Sequence, residues 1–451
     1  MSIAIKIALP LVFICSCGIL AKQPELRLAV PLLIGVTACM TMVLAFILYH
    51  GASATNLWQP SVIIAIAFVL RLLFLFNPPQ LSDDIYRYLW DGNNLLRGVN
   101  PYAAAPAATS PAPEMATIHS RINHPRYVTI YPPAAQLVFA AGAALGGTIT
   151  GFKIVLVLLD VGLCALILLL LQRLDMPPWR SVLYAWNPLP ILEIAGSGHV
   201  DGAGLTMLFA SIYLLSANRQ SISGDVPRRG PYLFSGVLLA CSSLVKLYPL
   251  VFIPVLFFLI PKGRRRHFFL GFITAFAILP LLFMPHVTNM TASLETYART
   301  WEFAGFAFTT LRGISGSGST ARIFLSGCGI LAVAAITIRM SGGMKNAVSS
   351  GGKERHVMKA CYAVAMTLLL LTPTLQPWYA LSLAVFLPFC AGPAGLILCW
   401  VVLLTYQVQI SYFIMGRWNE NPWVTSAVFL APLAAYLLGK IPGAMRPAAT
   451  V

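Results

Sequence analysis

The chain has 451 residues, of which 58% are hydrophobic and 10% charged, with a mean hydropathy of +0.79. Soluble domains are about 25% charged, so long apolar runs with so few charges describe an all-α, polytopic helical membrane protein, and they exclude a membrane barrel, which reads as short alternating segments. The net charge of +16 is read as basic loops on the cytoplasmic side of a membrane, with no nucleic-acid partner.

Taken in order, apolar runs lie near 4–21, 28–49 and 60–77. The first follows Lys6 and meets no small-residue cleavage site in a polar region, so it is expected to stay as an uncleaved helix. A long polar loop, 78–130, comes next. Further runs lie near 131–147, 154–172, 182–196, 203–217, 233–246, 248–261, 267–285, 323–340, 358–372, 377–391, 393–413 and 423–439. Several are shorter than the ~20 residues of an upright span, as in helices that are broken or that end at a water-filled cavity.

The clusters Arg173/Arg180, Arg219/Arg228/Arg229, Lys262–Arg266, Arg339–Lys359 and Lys440/Arg446 fall on one side when spans are counted between them. That side is cytoplasmic by the positive-inside trend. Loop 78–130 lies on the outer side if the run 131–147, with Pro132 and Pro133 at its first turn, is interfacial and does not span. The count is then about fourteen spans, with both termini cytoplasmic. The Gly/Ser-rich stretch around 341–357 reads as a cytoplasmic linker between a module over 1–340 and C-terminal helices over 358–451. No internal repeat is visible, which weighs against a transporter. The nine Cys show no metal or redox spacing and are read as small core residues.

The outer loop concentrates acids: Asp83, Asp84 and Asp91, in a chain with 14 acidic residues. A carboxylate at the end of a span is costly without water or partners. One of the Asp83/Asp84 pair has the chemistry of a general base toward an attacking hydroxyl, and its neighbour would raise its pKa toward that role. The plain structural account is a helix start, since Ser82-Asp83-Asp84 precedes an apolar-periodic segment. Asp91 would share a helical face with Asp84, and Arg87 is expected to pair with Asp83 or Asp84.

Three outer turns add polar groups. Gly196–Gly202 carries His199 and Asp201, in a turn whose glycines allow close approach of a ligand or simply make a tight turn. Lys246, in Lys246-Leu-Tyr-Pro249, suits an anionic lipid phosphate; the ordinary alternative is a snorkelling lysine. Gln376, Trp378 and Tyr379 stand where an aromatic belt is expected, and Gln376 and Tyr379 have hydrogen-bonding groups for a sugar. Asp160 and Glu193 lie in apolar runs, where a helix–helix hydrogen bond competes with function. His119 and His124 match no metal spacing. No phosphate-binding P-loop and no dinucleotide fingerprint is present, so an ATP or nucleotide-sugar mechanism has no support.

These residues together resemble the GT-C glycosyltransferases, polytopic enzymes that use polyprenyl-phosphate sugars, including bacterial membrane mannosyltransferases and the enzyme that adds the first mannose to GPI anchors. The resemblance rests on Asp83-Asp84-Ile85-Tyr86, Asp91, Gly98-Val99-Asn100-Pro101-Tyr102 and Tyr131-Pro132-Pro133-Ala134, followed by Gly198-His199-Val200-Asp201 and Lys246-Leu-Tyr-Pro249. It covers roughly residues 60–260. The family's Asp-x-Asp has Ile85 at its second acid, and the extra acid has moved to Asp84. The resemblance therefore implies Asp83 as the catalytic match, with Asp84 as base or partner.

It also implies a large first outer loop with interfacial helices and an inverting hexosyltransferase that moves a hexose, plausibly mannose, from a polyprenyl-phosphate donor to a lipid or glycan acceptor. Asp91, Tyr102, Tyr131, His199, Asp201, Lys246, Gln376 and Tyr379 are expected to bind substrate. No cofactor is expected and no divalent metal is required, because Lys246 would stabilise the leaving phosphate. The expected location is a bacterial cytoplasmic (inner) membrane with the site facing outward. The alternatives are a transporter or flippase of a lipid-linked saccharide, and a glycan polymerase or ligase.

Overall fold

A computed structural model describes residues 2–50, 58–217, 229–344, 352–390 and 392–440. Arg219, Arg228, Lys345, Arg446 and the linker segment 345–351 lie outside the described residues. Among the described residues the protein is helical without a strand; two isolated bridges join Phe303 and Ala304 to Thr374.

Among the described residues five helices are long and apolar enough to cross a membrane: Ile3–Ala21, Val30–His50, Ile149–Arg173, Gly318–Met344 and Pro393–Met415. A bent pair, Lys262–Leu281 and His286–Thr300, makes a sixth if it is counted as one span. Others of the expected apolar runs form shorter or broken helices, and the reason is local. The run 182–196 is divided into Val182–Ala185, Pro188–Pro190 and a π-helical turn, Ile191–Gly196. Proline lacks the amide hydrogen that would continue the ladder. The run 248–261, with Pro249 and Pro254, and the run 377–391 break in the same way into 3₁₀ and short α pieces. The run 131–147 becomes an 11-residue helix, Pro133–Ala143. At 1.5 Å per residue it reaches about half of a ~30 Å hydrocarbon core. Helices Gly318–Met344 and Gly352–Leu371 extend into the ends of the expected linker.

The chain packs as two compact units that alternate in sequence. One comprises Met1–Phe74, Ile167–Glu193 and Glu302–Val451. Its broken run is buried, as irregular backbone in a membrane protein must be. Side chains take up its exposed backbone groups: Arg71 donates to the carbonyl of Ala185 (2.9 Å), and the Trp186 indole donates to Ile63 (3.2 Å). Glu193 accepts from the Tyr406 hydroxyl through both carboxylate oxygens (2.8 and 2.9 Å).

The other unit comprises Leu75–Leu166 and Ile194–Trp301. In it the amphipathic helix Asp84–Leu96 lies against Pro133–Ala143. The two approach so closely that a Cβ on Gly92 would stand 2.3 Å from the Phe139 carbonyl oxygen. Gly230–Val245 packs with both Asp201–Ala217 and Arg265–Leu281.

Candidate active site

The acidic loop becomes a helix start, as its residue types suggest. Asp83 occupies the N-cap position of Asp84–Leu96, but its side chain makes no capping bond; the Ser82 hydroxyl instead accepts from the amide of Asp84 (3.3 Å). Asp84 stands in the first turn, where the helix dipole favours a negative charge.

Its carboxylate is held by side chains from two later segments. Oδ1 accepts from the Asn123 amide (2.8 Å) and Oδ2 from the Tyr131 hydroxyl at a long 3.4 Å. Tyr131 in turn shares a 3.0 Å hydrogen bond with Tyr88. The Asp84 side chain keeps 18% of its surface open.

The turn Gly196–Gly202 reaches the same carboxylate. Gly198 has φ +79°, a conformation that disfavours any side chain, and a Cβ there would lie 2.5 Å from Ile85 Cδ1. Ile85 is fully buried against this glycine. The position that holds an acid in Asp-x-Asp proteins is thus a packing residue here, and the neighbouring Asp84 faces the polar groups. His199 follows, with Nδ1 3.8 Å from Asp84 Oδ2. Burial, and then the Lys246 charge, hold the His199 imidazole well below its ordinary pKa, so it is neutral near pH 7. Its contact with Asp84 is therefore dipolar and not an ion pair.

Asp201, two residues on, is buried, and both of its oxygens accept from Lys246 Nζ (2.8 and 2.7 Å). Lys246 leaves the end of Gly230–Val245 in an extended conformation, with 18% of its side chain open. Asp84 lies near enough to Asp201 for the two charges to act on each other. The unit thus joins an accessible carboxylate, a neutral imidazole and an anchored ammonium, which are the parts of a general base beside an anion-binding group.

The other expected site residues have partners of their own. Asp91 is 1% exposed; it accepts from Arg87 Nε (2.9 Å) and, at 3.4 Å, from Gln136. Burial pushes its carboxyl up, against the pull of Arg87. Arg87 therefore pairs forward with Asp91, a partner that the spacing did not single out, while its NH1 fixes the Tyr127 carbonyl (3.0 Å). Tyr102 is fully buried, packed edge-on against Phe283. Its hydroxyl donates to the Tyr131 carbonyl (2.7 Å), so it positions the Tyr131 backbone. Gln376 and Tyr379 belong to the other unit, where Gln376 precedes the 3₁₀ turn Pro377–Ala380 and accepts the Tyr379 amide (3.0 Å).

Asp160 is fully buried in Ile149–Arg173. His119 bonds to the Pro106 carbonyl and packs on Trp90. No group of three or more His, Cys, Asp or Glu arranged to hold a metal occurs among the described residues. Asn123 and Tyr88 were not among the expected site residues. Asn123 carries no motif, whereas Tyr88 sits one turn after Asp84, a spacing that marks a same-face neighbour.

Residues 16–262, more than half of the chain, match the family described as alpha-(1->6)-mannopyranosyltransferase, N-terminal domain. The matched span contains every residue of the Asp84–His199–Asp201–Lys246 cluster. No curated protein and no solved structure matches the chain.

Proposed function

The chain belongs to the alpha-(1->6)-mannopyranosyltransferase family, and we propose that it takes mannose from a polyprenyl-phosphate donor and passes it, with inversion at the sugar carbon, to a lipid or glycan hydroxyl on the outer face of the membrane. That it is a membrane glycosyltransferase acting on mannose follows from that family and from its apolar helices. The lipid-phosphate donor accounts for a helical bundle without a nucleotide fingerprint. The outward orientation rests on the basic clusters counted to the cytoplasmic side.

The observation that carries the mechanism is the Asp84 carboxylate, partly open and held between Asn123, Tyr131 and the neutral His199. The acceptor oxygen attacks the mannose carbon while its proton passes to Asp84. The bond from that carbon to the donor phosphate breaks, and the phosphate leaves with the electron pair. Lys246, anchored by Asp201, meets the charge that develops on it. His199 lines the pocket. Because Lys246 supplies the positive charge, transfer is expected to survive chelation of divalent metals, a direct check on this part of the reading.

The test is mannose transfer by the purified protein in detergent, from a short-chain polyprenyl-phosphate mannose to a membrane lipid extract. Loss of transfer in Asp84→Asn, with folding and donor binding intact, supports the assignment. Loss in Asp83→Asn alone moves the base to Asp83. Wild-type protein that transfers nothing, yet carries a labelled lipid-saccharide across liposomes, replaces the transferase with a flippase. Labelling of a cysteine at the exposed Arg126 position by an impermeant maleimide tests the side; reaction only from the cytoplasmic face sinks the orientation.

A further inference from the structure

Beside Asp84 lies a cluster of four rings that the mechanism above does not use. The turn His124–Tyr127 is closed by the Tyr127 amide on the His124 carbonyl (3.2 Å). Trp301, just after the helix Asn289–Thr300, stands T-shaped to two rings from that turn. His124 approaches at 4.9 Å and 73°, and Tyr127 at 6.0 Å and 76°. Tyr297, one helical turn earlier, lies at 5.3 Å and 34°. His124 and Tyr127 are exposed, and Trp301 and Tyr297 are half-buried.

Aromatic rings at a membrane edge ordinarily form a dispersed belt. These four are gathered, and two links tie them to Asp84. Asn123, whose amide holds Asp84 Oδ1, is the residue before His124. Tyr297 stands near enough to Tyr131 to act on it electrostatically, and the Tyr131 hydroxyl reaches Asp84 Oδ2. The buried Arg87–Asp91 pair steadies the turn through the Tyr127 carbonyl. A pyranose offers C–H faces that stack on aromatic rings and hydroxyls that bond to Tyr and His edges, so a rigid amphipathic cluster of this kind suits a saccharide.

We propose that His124, Tyr127, Tyr297 and Trp301 form a stacking shelf for the acceptor glycan, holding the sugar next to the one whose hydroxyl is at Asp84. The proposal rests on the transferase reading and adds to it the side chains that hold the acceptor beyond its reacting sugar. Binding energy from this remote sugar would position the attacking hydroxyl.

The test compares lipid-linked acceptors bearing one mannose and three α-(1→6)-linked mannoses in wild type, Tyr127→Ala, Trp301→Leu and Tyr127→Phe. In Tyr127→Ala and Trp301→Leu the KM for the longer acceptor should rise about tenfold, which is about 1.4 kcal/mol. The KM for the single-mannose acceptor, the KM for the donor and kcat should hold, and Tyr127→Phe should restore most of the loss. Equal KM in all variants, or a rise in donor KM instead, overturns the shelf. Calorimetric binding of free mannotriose to wild type and Tyr127→Ala separates the two readings. A ring-dependent affinity in a protein that transfers nothing keeps the shelf and discards the transferase. Transfer with ring-independent binding and kinetics does the reverse.

Discussion

Asp84 and Asp91 stand two turns apart on one helix and have opposite surroundings. Asp91 is closed off, with Arg87 on one oxygen and Gln136 near the other. Asp84 is held by the uncharged Asn123 and Tyr131, touches the neutral His199, and keeps part of its surface open. A carboxylate closed off from its surroundings has no access to a substrate proton, whereas one held by neutral donors with part of its surface open can take a proton and still keep its place. On the proposed mechanism the same residue type on the same helix serves structure at one end and chemistry at the other, and the difference lies in what the rest of the unit brings to it.

The sharpest way to break this comparison is to exchange the acids for amides. Asp84→Asn should lower transfer by roughly 10²–10⁴-fold, the range for a lost general base, while the melting transition in detergent stays close to wild type. A mutant that retains full rate would place both acids in the structural class.

Arg87→Ala should act on stability first. It strands a buried carboxylate, and breaking such a pair costs about 3–5 kcal/mol. The pH dependence has a definite sign. Burial already raises the Asp91 pKa above its unfolded value, so the Asp91 contribution to stability is present at low pH and lost as pH rises through the folded pKa. Without Arg87 that pKa rises further. Denaturation followed from pH 7 to pH 5 should therefore show the variant regaining part of its deficit on acidification. A deficit independent of pH would mean that Asp91 is not the stranded charge.

How much of this was legible in the residues divides along the same line. The all-helical class, the helix start at Asp83–Asp84 and the polar turn at His199 and Asp201 are local patterns, and local spacing carries them. The segmentation of the runs near 188, 254 and 377 was marked by prolines, but whether a proline kinks a span or divides it depends on partners such as Arg71, which takes the Ala185 carbonyl from far along the chain. The choice of Arg87 for Asp91 over Asp84 could not be read, because both spacings suit a helical ion pair. It is decided by Asn123 and Tyr131, 39 and 47 residues away from Asp84 in sequence. Ile85 was read as a departure from the family's acid pattern; only its packing against Gly198 gives the reason.

Lys246→Gln tests the anion-binding part of the open cluster. It should raise the donor KM and lower kcat, with a combined loss of about 10²-fold, and it should leave Asp201 buried without its ammonium. An unchanged donor KM would make the Lys246–Asp201 pair a second structural bridge, equivalent to Arg87–Asp91.

The smallest effect is expected from Asp83→Asn, and it sharpens the comparison most finely. Asp83 adjoins Asp84 in sequence and matches the first acid of the Asp-x-Asp pattern, so position alone favours it as the base. Its surroundings argue otherwise. Asp84 is the carboxylate that Asn123 and Tyr131 hold and that His199 approaches. Asp83 sits at the N-cap, where Asn serves about as well as Asp. The substitution should therefore change transfer by about threefold or less, with the melting transition unmoved. If Asp83→Asn instead matches the loss in Asp84→Asn, the role of base belongs to both carboxylates and not to Asp84 alone.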